Sequence, residues 1–240
     1  MHPLDNVIWQ ALTTRQTQFA EGHDRARRFM REVTLLGALV EDTPEGYADF
    51  ARVLGTGGTG ALFLDEPYEP RAGWEFVVGA PLLQMVFEDG KGSPRKGDSG
   101  AEIVAENSAK IIAEIDELGI QDSSEMIELT SLTKPGPFGT RTHELGTYLG
   151  IRREGKLVAM AGERLKVPGY TEVSAVCTHP DHTGNGYARV LMMEIVRRIL
   201  DRGETPFLHV RGDNARAIDL YKLLGFHERK FGHFAVLRKV

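Results

Sequence analysis

The stretch TEVSAVCTHPDHTGNGYARVLMMEIVRRIL, Thr171 to Leu200, constrains this chain more than any other. Val173, Val176 and Thr178 stand among small residues, the composition of a strand buried on at least one face. Ala188, Leu191, Met192, Ile195 and Ile199 then recur at helical spacing, and Arg197, Arg198 and Arg202 gather at the far end, where cations complement the helix dipole. Between strand and helix lie Thr183, Gly184, Asn185, Gly186, Tyr187 and Ala188. A glycine loop that opens a helix aims several backbone N–H groups and the partial positive charge of the helix end at one point. The spacing predicts an anion site.

The rest of the chain sets the frame for that site. Its 240 residues suffice for one large domain or two small ones, and 41% apolar with 26% charged residues is an ordinary soluble composition. A formal net charge of −5 argues against a nucleic acid or an anionic membrane as the main partner. No apolar run approaches the ~20 residues of a membrane span. The start, MHPLDNVIWQ, lacks the basic and apolar parts of a secretory signal. The single cysteine, Cys177, rules out an intrachain disulfide and suits a reducing cytoplasm. A cytoplasmic location is expected.

The main composition break is EDGKGSPRKGDSG, Glu88 to Gly100, read as a linker or exposed loop. Upstream, Thr43 and Pro44 begin a helix whose apolar face is Tyr47, Phe50, Ala51 and Leu54. GTGGTG, Gly55 to Gly60, follows that helix and leads into a strand, ALFLDE, so it reads as a turn rather than a second phosphate loop. WEFVVG and LLQMVFE are expected as two further strands. Residues 1–92 thus read as a small α/β module, 93–102 as a linker and 103–240 as the functional domain. Downstream, AKIIAEIDEL is expected as a strand and DSSEMIELTSLT as a helix capped by Asp122 or Ser123. A hairpin should turn near Glu154–Gly155, and PFLHV should be a strand. NARAIDLYKLL should be a helix with Asn214 at its start and Gly225 past its end, followed by two strands, FHERK and HFAVLRK.

From Ile103 to Val240 the chain resembles the GNAT superfamily of acyl-CoA-dependent N-acyltransferases, in the branch that includes glycine N-acyltransferase-like proteins. That family's pyrophosphate loop is Gln or Arg, two residues, Gly, one residue, then Gly or Ala; the matching positions are Thr183, Gly186 and Ala188, with Gly184 also present. Thr183 departs from the pattern, which weakens the side-chain contribution but not the backbone cradle. A second block, VRGDNARAIDLYKLLGF, is similar to the family's Asn–helix–Tyr–Gly-Phe run beside the thiol end of the cofactor. The resemblance implies an α/β (α+β) fold with a mixed, mostly antiparallel sheet flanked by helices. The N-terminal module lies outside the resemblance, or is a degenerate half-copy of the same fold.

The implied reaction is transfer of an acetyl group from acetyl-CoA to a primary amine of a small molecule or peptide, by direct attack in a ternary complex. Two alternatives stay open: a CoA-binding regulatory module without turnover, and transfer from a longer acyl-CoA. The loop from Thr183 through Gly184, Asn185, Gly186, Tyr187 and Ala188 to Arg189 would take the pyrophosphate. Backbone groups of Val176, Cys177 and Thr178 would pair with the pantetheine, and Asn214 would lie near it as well as capping its helix. Tyr221 is the general acid that its place in the matched block implies, since a phenol stays protonated at neutral pH; on spacing alone it reads as a core aromatic. Glu172 is the first choice of base, because strand alternation puts it on one face with Ser174, Val176 and Thr178. His209 is the second, since an imidazole titrates near neutrality and other members carry a base on that strand. Phe138 and Arg141, in the loop Leu132 to Gly146, are the expected acceptor contacts, and Arg141 suggests a carboxylate on the acceptor. No metal is expected: Cys177, His179 and His182 come from one short segment with no second group of ligands.

Overall fold

The computed structural model describes residues 2–88 and 110–240. Helix α1 (Val7–Thr13) leads into a small sheet of β1 (Ala20–Glu21), β2 (Ala26–Phe29) and β3 (Gly37–Leu39). Helix α2 (Pro44–Leu54) starts as the sequence predicts: the Thr43 side chain accepts the N–H of Gly46, with Pro44 at the first position. The glycine run after it is a turn. Gly55 and Gly57 take φ of 72° and 73°, and the chain enters β4 (Thr59–Leu64) with no helix following.

WEFVVG and LLQMVFE are not two strands but one, β5 (Trp74–Phe87). Pro81 interrupts the pattern in sequence without interrupting the strand. It precedes the first β5–β10 pair, Leu82 with Arg211, so its missing N–H faces the point where that ladder ends. The tail behaves likewise. FHERK and HFAVLRK are one strand, β11 (Phe226–Lys239), whose irregularity between Glu228 and Lys230 is absorbed within the ladder.

Of the expected strand AKIIAEIDEL only β6 (Ile115–Leu118) is extended. The carboxylate of Asp122 precedes α3 (Ser123–Thr133) but accepts from the Gly119 N–H at 2.8 Å and from Arg152 at 2.6 Å, not from the helix. Strands β7 (Tyr148–Arg153) and β8 (Lys156–Val167) form the expected hairpin, with Glu154 and Gly155 both at positive φ, the requirement of a tight two-residue turn. Then come β9 (Tyr170–Thr178), α4 (Tyr187–Asp201), β10 (Thr205–Arg211) and α5 (Ala215–Leu223). Asn214 caps α5 by accepting from the Ala217 N–H, and Gly225 closes it at φ 98°.

The large sheet runs β4-β11-β5-β10-β9-β8-β7-β6. Every neighbouring pair is antiparallel except β9 and β10. This is the mixed, mostly antiparallel sheet expected. It crosses the division expected at 93–102, because β5 of the N-terminal stretch lies between β10 and β11; the linker itself falls outside the described residues. One face packs Leu191, Met192, Ile195 and Ile199 of α4 on Leu208, Val210 and Phe226. The other packs Leu4, Ile8 and Leu12 on Phe29, Leu165 and Phe207. Each fully buried side chain of this size contributes about 1.5–3 kcal/mol.

Candidate active site

Strands β9 and β10 pair in parallel only from Tyr170 to Glu172 against Thr205 to Phe207. Beyond that point β9 stays with β8 and β10 with β5, and the two part. A bulge sharpens the parting. Met160 pairs with Cys177 but Gly162 with Ser174, so Ala175 and Val176 together oppose one residue, and Ala175 takes φ 52°. Bulges that re-aim a strand are common beside active sites. His179 donates its N–H to Val158 on β8. By strand alternation Cys177 also faces β8, while Val176 and Thr178 turn their N–H groups to the gap. Of the three residues expected to offer backbone groups, two face the right way.

The gap opens into a cleft of 930 Å³. Val176, Cys177 and Thr178 line one wall, His209 and Val210 the other, and Asn214 and Tyr221 enter from α5. Phe138 also lines it and packs edge-on against Tyr148, with ring centroids 5.8 Å apart. Burial pushes the Tyr221 phenol up to about 12 and the Cys177 thiol up to about 11, although Thr133 and the Met160 backbone pull the latter down. Both groups are therefore protonated at neutral pH.

The glycine loop lies outside this lining, at the exposed N-terminus of α4. Gly184 and Gly186 take φ of 85° and 77°, and a Cβ on either would meet no protein atom within 4 Å. The first intrahelical bond in this turn is Val190 N–H to the Gly186 carbonyl, so the N–H groups of Tyr187, Ala188 and Arg189 have no acceptor within the helix. The side chains at this end point elsewhere. The Thr183 hydroxyl donates to the Pro180 carbonyl, Asn185 donates to the His182 carbonyl, and the buried Tyr187 hydroxyl accepts from Arg153. Among the described residues Arg189 forms no hydrogen bond or ion pair. The loop offers backbone.

Glu172 is not placed as the sequence suggested. It is 0% exposed, with Arg164 donating from Nε and Nη2 at 2.8 and 2.7 Å and His209 Nδ1 at 2.7 Å. Burial alone would raise this carboxyl, yet the Arg164 charge and the hydrogen bonds hold it down at about 2. Such a carboxylate is a poor proton acceptor. The alternation argument failed at the bulge: Val173 and Val176 both pack under α4, which three residues of regular strand would forbid, so Glu172 does not share a face with Val176. His209 lines the cleft, but both its nitrogens are engaged. Gln84 fixes the tautomer: its Oε1 accepts from Arg229, so its amide donates to the Leu4 carbonyl and to His209 Nε2, leaving the Nδ1–H for Glu172.

Arg141 is a further correction. Its fork is taken by Glu144 at 2.7 and 2.8 Å, and it does not line the cleft. The guanidiniums that do are those of Arg164, Arg211 and Arg216. Neither Arg164 nor Gln84 figured among the expected residues, although Gln84 is a lone polar residue in the apolar run LLQMV and Arg164 follows Glu163 in a largely apolar strand. Such residues need buried partners. Among the described residues no three metal-ligating side chains gather, and no helix is long and apolar enough to cross a membrane.

Residues 148–234 match the FR47-like protein family. Over 82 residues the chain is 38% identical to the N-alpha-acetyltransferase RimI of Mycobacterium tuberculosis; that match covers 33% of this chain and 51% of the relative, so the chain spans about half the length of this curated relative. A crystal structure of a GNAT-family protein from Novosphingobium aromaticivorans is similar over 100% of both chains, at 34% identity and a TM-score of 0.85. A GCN5-related N-acetyltransferase from Kribbella flavida shares the fold at 14% identity, with a TM-score of 0.59 over 97% of this chain and 95% of its own.

Proposed function

The chain belongs to the GNAT superfamily of acyl-CoA-dependent acyltransferases, and from that premise we propose that it transfers an acetyl group from acetyl-CoA to a primary amine by direct attack in a ternary complex. The observation that carries this reading is the parting of β9 and β10 beside Tyr221 and Asn214. An extended pantetheine fits such a gap as an added strand, taking hydrogen bonds from the N–H groups of Val176 and Thr178. Acetyl-CoA supplies the thioester carbonyl. One of those N–H groups meets the carbonyl oxygen as charge develops on it. The free N–H groups of Tyr187, Ala188 and Arg189 hold the pyrophosphate, with Gly184 and Gly186 allowing its close approach. Arg189 and Arg216, exposed and unpaired among the described residues, supply the cations that Thr183 does not.

Tyr221 donates its proton to the departing thiolate. Cys177 takes no covalent part, because a buried thiol held protonated is a poor nucleophile. For the amine's proton the geometry favours His209 over Glu172. Glu172 holds the Nδ1–H and stabilises the imidazolium, while Nε2, where the Gln84 amide now donates, accepts from the amine.

The test is thiol release from acetyl-CoA and from longer acyl-CoAs over a panel of amines. Tyr221→Phe should lower kcat about 10²-fold with CoA affinity little changed. His209→Gln should slow the reaction at pH 7, with the defect shrinking as pH rises and free amine becomes abundant. Tight CoA binding without thiol release on any amine would replace this reading with that of a regulatory CoA-binding module.

A further inference from the structure

A second cavity, of 350 Å³, adjoins the cleft at His209. It lies between the start of α1, β3 and the segment after it, the end of β4 and the middle of β11; of these only β11 falls within the segment that matches the family model. Phe63, Leu82 and His209 line both this cavity and the cleft, so the two meet at the imidazole. Its floor is apolar, with Leu4, Ile8, Leu62 and Phe63. Its rim is acidic: Asp5, Glu41, Asp42, Asp65 and Glu66 all line it. Arg229 offsets Asp5, Arg71 offsets Asp42 and Lys230 offsets Asp65. Glu41 and Glu66 are exposed and form no ion pair among the described residues.

We propose that this cavity is the acceptor pocket, and that it selects an amine with an apolar stem and a second positive charge. The inference rests on the acetyltransferase reading above and names its substrate class. One amino group reaches His209 Nε2 through the junction, the stem lies on the apolar floor, and the second ammonium sits between Glu41 and Glu66. The volume suits a small molecule or one side chain, not a folded surface. A free alkyl diamine and a lysine side chain in a basic peptide share this chemistry. A carboxylate-bearing amine does not. In the transfer the amine nitrogen forms the new bond to the acetyl carbon as the carbon–sulfur bond breaks; the amine's proton goes to His209 and the thiolate takes one from Tyr221.

The experiment measures binding first, so that it does not depend on turnover. Hexamethylenediamine, hexylamine, aminohexanoate and a short lysine peptide are titrated calorimetrically into the full chain saturated with CoA. The diamine should bind about tenfold or more tighter than hexylamine, the advantage should fall with salt, and aminohexanoate should be weakest. In the double variant Glu41→Gln/Glu66→Gln the ratio of diamine to hexylamine affinity should fall towards one. A lysine peptide that outbinds the diamine would keep the pocket and assign the source to peptides. Equal affinities for the three small amines, a preference for aminohexanoate, or a diamine preference that survives the double variant would overturn the proposal. Thiol release with the same compounds separates the two readings: turnover of hexylamine and aminohexanoate as fast as the diamine retains the acetyltransferase and removes the pocket, whereas binding selectivity without any release does the reverse.

Discussion

The seam between β9 and β10 has two halves that contrast in almost every respect. In the closed half, Tyr170 to Glu172 pair with Thr205 to Phe207, and a hydrogen-bonded chain from Arg164 through Glu172 and His209 to Gln84 is buried, reaching the cleft only at Arg164 and His209. In the open half the strands part and their polar groups are backbone N–H donors facing a cleft. The closed half solves its hydrogen bonding within the protein. The open half leaves donors for a ligand to satisfy. Stability should therefore depend on side chains in the first and ligand affinity on backbone in the second.

The sharpest way to break this contrast is Arg164→Met, which leaves Glu172 buried and without its main partner. Unfolding free energy should fall by about 3–5 kcal/mol, as measured by urea denaturation. A loss below ~1 kcal/mol would show that the closed half is not held by this pair. The acid limb checks the same point. Glu172 is held at about 2 against an ordinary 4.5, so its contribution is fully present above pH 4.5 and is lost as pH falls towards 2. In the wild type that amounts to about 3 kcal/mol. Arg164→Met should flatten that part of the stability–pH curve.

Next in size is Gly186→Val in the open half. Each charge-assisted hydrogen bond lost at the loop costs about 1.5–3 kcal/mol, so CoA affinity by calorimetry should fall at least about tenfold. Because Gly186 has φ 77°, a branched residue there also strains the backbone, and a thermal melt of the same sample shows whether the protein remains folded. Unchanged affinity in a folded variant would remove the loop from the site. The smallest expected effect is Arg141→Ala. Its partner Glu144 is on the surface with it, and stability should change by less than ~0.5 kcal/mol with no change in KM for any amine. A KM effect would return Arg141 to the acceptor site.

What the sequence disclosed was local. The Thr43–Pro44 start, the Asn214 cap with Gly225 past the helix end, and the Glu154–Gly155 turn are each decided within a few residues, and each is present. The loop could be read from its own strand, turn and helix, whereas Tyr221 was singled out by the family resemblance and by spacing alone reads as a core aromatic. The charged chain was not, because Gln84, Arg164, Glu172 and His209 come from four different strands. Nothing in any one strand names the partner on the next. Alternation misled on Glu172 because a single extra residue at Ala175 reverses the phase of everything after it. The two strands expected at WEFVVG and LLQMVFE run on as one through Pro81, because a breaker by type is harmless where no neighbour needs its N–H.

The place of β5 between β10 and β11 has a consequence for how the molecule comes into being. Trp74 pairs with Lys239 and Val86 with both Phe207 and His227, so the middle of the sheet joins the first third of the chain to its last residues. On a ribosome, β5 emerges long before either neighbour, and both its edges wait unpaired. Sheet closure is then a late, non-local event of high contact order, and slow folding follows. The segment carrying the family's signature, 148–234, holds β10 and most of β11 without the strand that separates them. Transplanted alone, the recognisable part of this protein would lack its own centre.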